Sequence, residues 1–136
     1  MVEIYTDGSS IGNPGPGGYG IVMQWKGKKY KKEFYSGYRY TTNNRMELLA
    51  VIKALEKLKK INQEVVVFSD SKYVIDAVEK KWVFKWRKDK FKGKKNSDLW
   101  KKFLKLFEIH NIKFKWVKAH NNHPQNERCD FLANNA

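Results

Sequence analysis

Four carboxylates stand far apart in a chain that is short of acids: Asp7, Glu47, Asp70 and Asp130. Brought together they would form an all-oxygen ligand set. Like charges at close range repel and raise each other's pKa. A hard divalent cation between them relieves that repulsion, and oxygen donors suit Mg²⁺ or Mn²⁺. Each acid also has an ordinary alternative. Asp70 precedes Ser71 and could cap a helix there. Glu47 could be a surface glutamate favoured near a helix start. Asp130 could pair with Arg128 or a neighbouring lysine.

The elements that must position these acids can be read from the pattern of apolar residues. Strands are predicted over 2–6, 19–25 and 30–38, with a hairpin turn at Lys26, Gly27 and Lys28. A helix starts near Asn43, capped by Thr41 or Thr42, with Leu48, Val51, Ile52, Leu55 and Leu58 on one face. Residues 64–68 (EVVVF) form a short apolar run, typical of a strand buried on both faces. Residues 71–80 follow as a helix with Tyr73, Val74, Ala77 and Val78 turned inward. Ser97 caps another helix, whose Trp100, Phe103, Leu104 and Phe107 share a face. Ile112, Phe114 and Trp116 alternate with lysines in a last strand, and a final helix begins near Asn126. Three strands, then strands alternating with helices, predict a mixed sheet with helices packed on it. Asp7 and Asp70 then end their strands. If those strands are parallel, both acids emerge at the C-terminal sheet edge, where ligand sites of α/β folds concentrate. Glu47 projects from the same side of its helix as Asn43.

Residues 6–20 read TDGSSIGNPGPGGYG, with a literal G-x-G-x-x-G at Gly15, Gly17 and Gly20. A dinucleotide-binding loop needs a helix after it, but the strand-like IVMQW follows. Pro14 and Pro16 also remove backbone N–H donors that a phosphate cradle would use. A Walker pattern fails because Gly18 and Tyr19 stand where Lys and Ser/Thr are required. The run is expected to be a tight connection between two antiparallel strands beside Asp7.

The 136 residues carry 28 Lys and Arg against 14 Asp and Glu, a net charge of +14. That excess favours a polyanionic partner, nucleic acid first, over a membrane surface. A solubilising lysine coat is the alternative. Residues 80–95 concentrate the charge, with nine basic residues against Asp89 alone. Trp82, Phe84, Trp86 and Phe91 interleave with them, and stacking surface plus cations grips nucleic acid without reading bases. The hydrophobic content of 41% suffices for the core of one domain over residues 1–136. Cys129 is the lone cysteine, which suits a reducing compartment. No signal-like stretch opens the chain and no apolar run approaches a membrane span. A soluble cytoplasmic protein is expected.

DGSSIGNPGPGGYG, TTNNRMEL, SDSKY and WVKAHNNHPQNERCD, in that order and spacing, resemble bacterial-type (type 1) ribonuclease H over residues 2–133. The resemblance implies an α/β fold: a five-stranded mixed sheet flanked by helices, with residues 80–95 as a basic protrusion. It implies endonucleolytic cleavage of the RNA strand of RNA–DNA hybrids to 5′-phosphate and 3′-hydroxyl products. Asp7, Glu47, Asp70 and Asp130 match the family's metal-binding carboxylates, for two Mg²⁺ ions with Mn²⁺ as the alternative. His120 matches its catalytic-loop histidine. Gly8, Asn13, Asn43 and Asn44 match contacts to the RNA strand, where amides that both donate and accept suit 2′-hydroxyls. Thr42 and Arg45 resemble part of a phosphate-binding element for the DNA strand. Lys72 stands where glutamine is common and would favour a phosphate over a base or sugar. On the protrusion, Lys85, Lys88 and Lys92 are expected on phosphates and Trp86 and Phe91 on sugars, with Trp82 assigned to the core. A monomer without a membrane partner is expected. Rival functions are a non-catalytic hybrid- or duplex-binding module on the same fold and a DNA nuclease or integrase-like domain. Intact carboxylates argue against the first; the Asn43–Asn44 pair and the protrusion argue against the second.

His120 and His123 are spaced H-x-x-H with Cys129 after them, but a zinc site lacks a fourth ligand and the spacing is not a common one. His123 precedes Pro124 and reads as structural; His110 ends a helix and reads as a surface cap. The His120 loop also departs from the family. Ala119 replaces the usual preceding glycine, and Asn121 and Asn122 replace a small, glycine-containing pair. A stiffer or redirected loop weakens the histidine's part in turnover. In steady-state kinetics, His120→Ala should retain more activity than Asp7→Asn; equal losses would contradict this.

Overall fold

A computed structural model describes residues 1–27, 31–118 and 124–136. Five strands form one sheet in the order β3-β2-β1-β4-β5. They are β1 (Val2–Ser10), β2 (Gly15–Trp25), β3 (Lys31–Thr41), β4 (Glu64–Ser69) and β5 (Asn111–Trp116). β1, β2 and β3 pair antiparallel, whereas β4 runs parallel to both β1 and β5. The helices are α1 (Asn43–Glu56), α2 (Lys72–Glu79), α3 (Trp82–Lys88), α4 (Ser97–Ile109) and α5 (Pro124–Asn134). The expected mixed sheet flanked by helices is therefore what forms.

Side chains alternate across a strand, so neighbours enter different cores. Ile4, Ile21 and Met23 pack under α1 in the larger core, with Val67, Trp100 and Phe103. Tyr5 and Val22 enter a smaller core with Cys129 and Leu132 of α5. Two caps agree with residue type: Thr42 Oγ1 accepts from Arg45 N at 3.2 Å, and Ser71 Oγ from Val74 N at 3.3 Å.

The glycine run differs from expectation. Residues 11–14 do connect two antiparallel strands, but the rest of the run is strand: β2 begins at Gly15, and β1 continues to Ser10 opposite Gly17. Flanking backbone explains why these positions lack side chains. A Cβ on Gly20 would lie 2.3 Å from the Cys129 carbonyl oxygen, and one on Gly8 2.3 Å from the Met46 carbonyl carbon. Glycine thus lets α5 and the start of α1 sit directly on the sheet.

Other boundaries also moved. Ser97 is not a cap; Asn96 precedes α4 in the left-handed region (φ 61°) without a side-chain capping bond. α5 starts at Pro124, whose missing N–H costs nothing in a first turn. Leu58 lies beyond α1 yet still packs on the core. Trp116 is 45% exposed rather than inward. His110 is buried, not a surface cap: its Nδ1 accepts from Gln63 N at 3.3 Å, and burial lowers its pKa. Lys28 and Tyr30 lie outside the described residues.

Gly20→Ala should push α5 off the sheet and cost about 1–3 kcal/mol. Chemical denaturation would measure it; unchanged stability would mean that α5 is not seated through this contact.

Candidate active site

Parallel pairing of β1 with β4 stops at Tyr5 opposite Phe68. Beyond it β1 continues against β2 alone, which leaves a crevice at the C-terminal end of β4. Asp7 enters it from β1, Asp70 from just past β4, and Glu47 from the second turn of α1. One oxygen from each lies within 4.8 Å of the others. Among the described residues this is the one such group of three or more potential metal ligands.

Asp7 and Glu47 are buried. The Gly8 N–H donates to Asp7 Oδ1 at 2.9 Å and to Glu47 Oε1 at 2.5 Å, which ties the two acids together. Burial first, then the charge of Asp70 and the Asp130 hydrogen bond, push Asp7 up to about 8, although its bond with Glu47 acts the other way. Burial first, then Asp7 and Asp70, raise Glu47 well above the usual carboxylate range. Asp130 approaches Asp7 from α5, half-buried, outside the three-acid group.

The ordinary alternatives fail one by one. Glu47 is not on the surface. Ser71, not Asp70, caps α2. Arg128 is engaged by Glu33, at 2.7 and 3.0 Å, rather than by Asp130. An all-oxygen set with two buried, mutually repelling acids fits a hard divalent cation. The crevice is an open cleft of about 380 Å³ that Asn43, Asn44, Ser71, Lys72 and Tyr73 also line. A larger cavity of about 510 Å³, between Trp25, Phe34 and several lysines, contains no carboxylate.

The proposed contact residues divide. Asn43 Oδ1 accepts from Ser10 N at 2.6 Å, and Asn13 Oδ1 accepts from Asn43 N at 3.1 Å. These oxygens lock the β1–β2 turn onto α1, a structural duty their types alone did not reveal. Asn44 is exposed at the cleft. Thr42 is the helix cap. Arg45 needs correction as a phosphate contact. Its guanidinium is committed to Asp98, at 2.9 and 3.1 Å, and to Asn96 Oδ1 at 3.2 Å. That pairing holds Asp98 below the usual carboxylate range. The Lys72 ammonium lies 4.8 Å from the Trp116 ring centre, and Trp116 Nε1 donates to the Asp70 carbonyl at 3.3 Å. The lysine is therefore held beside the acids.

On the basic segment, Lys85, Lys88 and Lys92 are exposed. Its aromatics exchange roles. Phe91 is 7% exposed and part of the core, which removes it from the contact surface, whereas Trp82 is 44% exposed. Lys90 and Phe91 both take left-handed backbone (φ 55° and 59°), and the turn they make carries the Phe91 ring inward. Trp86 is half-buried, edge-on to Trp100 with ring centres 5.9 Å apart. His120 lies outside the described residues, as do Ala119, Asn121, Asn122 and His123.

A family model described as RNase H matches residues 1–136. The chain is 54% identical to a ribonuclease H of Desulforamulus reducens, over 97% of this chain and 84% of that protein. It is 50% identical to one of Klebsiella pneumoniae, over 98% and 86%. Among solved structures it resembles LC9-RNase H1, a type 1 RNase H with the type 2 active-site motif, at TM-score 0.87 and 32% identity, covering 99% of this chain and 71% of that one. It also resembles LC11-RNase H1 in complex with an RNA/DNA hybrid, at TM-score 0.76 and 29% identity, covering 100% and 96%.

The raised Asp7 pKa gives a signed expectation. Between its ordinary value of 3.8 and about 8, the folded state binds more protons than the unfolded one, so this site's contribution to stability falls as pH rises. In chelator, Asp7→Asn should therefore gain thermal stability relative to wild type on going from pH 4.5 to pH 8. Calorimetry at both pH values would check it; a variant that loses ground over that interval would show that the acids do not repel.

Proposed function

The chain belongs to the ribonuclease H family, and from that premise we propose that it is a Mg²⁺-dependent endonuclease for the RNA strand of RNA–DNA hybrids, leaving 5′-phosphate and 3′-hydroxyl ends. The observation that carries this reading is the meeting of Asp7, Glu47 and Asp70 within 4.8 Å, with Asp130 near enough to raise the Asp7 pKa. These four would hold two divalent cations. When bound, such cations lower the pKa of an attacking water and offset charge on the departing 3′-oxygen.

The chain's own groups do the rest. Asp7, with Glu47 and Asp70 on one side and Asp130 on the other, would contribute to holding both cations. The Gly8 amide fixes one oxygen each of Asp7 and Glu47 before any ligand arrives, so little reorganisation is needed. His120, which precedes α5 in the chain, would move a proton or help product leave.

Substrate recognition follows the same logic. Asn43 and Asn44 line the cleft and, with Asn13 on the adjoining turn, would face 2′-hydroxyls, supported by the backbone at Gly8. Asn13 and Asn43 would do so through their NH₂ groups, because their oxygens already accept from backbone. Lys72 would meet a phosphate beside the acids. Lys85, Lys88 and Lys92 would neutralise phosphates further along, with Trp86 and the exposed Trp82 as apolar surface for sugars. The neighbour solved with an RNA/DNA hybrid supports this class of substrate. We further propose one working unit over residues 1–136, acting as a monomer in the cytoplasm. The buried, unpaired Cys129 suits that compartment, and among the described residues no helix is long and apolar enough to cross a membrane.

The test is cleavage of matched RNA–DNA, RNA–RNA and DNA–DNA duplexes, with and without Mg²⁺, by wild type and Asp7→Asn. Only the hybrid should be cut, only with the cation and only by wild type, with Asp7→Asn still binding it. Binding without cleavage by wild type would favour a non-catalytic module, and cutting of DNA a different nuclease.

A further inference from the structure

Asp130 is the acid outside the three-residue group, and it rides on α5, on the opposite face of the sheet from α1. Tyr5, Asp7 and Ser9 alternate onto that face. The Gly8 N–H that fixes Asp7 and Glu47 does not fix the Asp130 carboxylate. Asn134, one helical turn later, does. Its Nδ2 donates to Asp130 Oδ1 at 3.2 Å, and its Oδ1 accepts from Ser9 Oγ at 3.0 Å. The amide's orientation follows from chemistry, because an ionised carboxylate only accepts. The NH₂ end must face Asp130, which leaves the oxygen for the serine hydroxyl. Ser9 lies two residues from Asp7 on β1. The bonds thus tie β1, two residues past Asp7, to the Asp130 carboxylate on α5.

We propose that Asn134 and Ser9 are positioning residues for the divalent-cation site. Ser9 holds the Asn134 amide, and the amide aims the Asp130 carboxylate at Asp7. This rests on Asp130 being a cation ligand. A neutral donor suits the place: a lysine or arginine there would compete with the cation for the carboxylate. Outer partners that orient metal-binding carboxylates set affinity without touching the ion. Asn135 offers an internal control. Its Nδ2 donates to the Phe131 carbonyl at 2.8 Å, so it ties the same helix end without reaching any acid.

The experiment is calorimetric Mg²⁺ binding to the full chain without nucleic acid, for wild type, Asn134→Ala, Ser9→Ala, the double variant, Asn135→Ala and Asp130→Asn. Asn134→Ala should weaken binding by about tenfold. Ser9→Ala, which leaves α5 untouched, should weaken it less, and the double variant should be no worse than Asn134→Ala. Asn135→Ala should leave affinity unchanged. In cleavage assays the Mg²⁺ requirement should rise for Asn134→Ala, with kcat recovered at saturating Mg²⁺. Wild-type affinity in Asn134→Ala, equal loss in Asn135→Ala, or additive losses from Ser9 and Asn134 would each overturn the proposal. Unchanged affinity in Asp130→Asn would instead remove the ligand assignment on which it rests.

Discussion

Electrostatic repulsion among buried acids is the constraint around which the molecule is arranged. Water stabilises a carboxylate better than protein does, and a second carboxylate nearby makes matters worse. Yet Asp7 and Glu47 are both buried and face Asp70. The fold holds them there through covalent placement on rigid elements and through one shared donor, the Gly8 N–H. A single neutral amide relieves only part of that repulsion. What remains is a local instability that a cation removes, which makes an empty site costly and a filled one favourable.

The sheet's mixed topology makes this crowding available. Two parallel strands end together, so residues 7 and 70 arrive at one edge although 63 positions separate them. The antiparallel partner then carries β1 past that edge to Ser10, which keeps Asp7 on a rigid strand rather than in a loop. Glycine completes the arrangement from both sides. At Gly8 the backbone of α1 comes close enough for Glu47 to share an amide with Asp7. At Gly20 the backbone of α5 comes close enough to bring Asp130 into reach of it.

Much of this was legible in the order of residues. Apolar periodicity located the five strands and every helix but α3, which was hidden in the basic segment 80–95, and a parallel pairing of the two strands was the condition that joined Asp7 to Asp70. What stayed hidden depended on contacts between elements. The glycine run resembled a connection because its strand character comes from pairing, not from its composition. Asn13 and Asn43 looked like ligand amides, but each oxygen is spent on the β1–β2 turn. Arg45 looked free for phosphate, but Asp98 lies 53 positions away in the chain and no local pattern announces it. Trp82 was misplaced because a seven-residue helix is too short for periodicity to decide its inward face, and Phe91 because a left-handed turn beyond that helix carries it inward.

The charge distribution reconciles the molecule's two opposed electrostatic tasks. Its cleft must be negative enough to gather divalent cations, while its partner is a polyanion that such a cleft repels. A uniform lysine coat would answer the second need at the expense of the first, since ammonium groups among the acids would pair with them. The basic residues of 80–95 are instead carried on α3 and the turns on either side of it, outside the cleft lining. Lys72, the one basic residue lining the cleft among the described residues, is held on the Trp116 ring. Attraction between a lysine and an aromatic face needs no carboxylate, so this charge can face phosphate without neutralising Asp70. Separation of the two signs, enforced by the fold, is what allows one small surface to hold cations and a nucleic-acid backbone together.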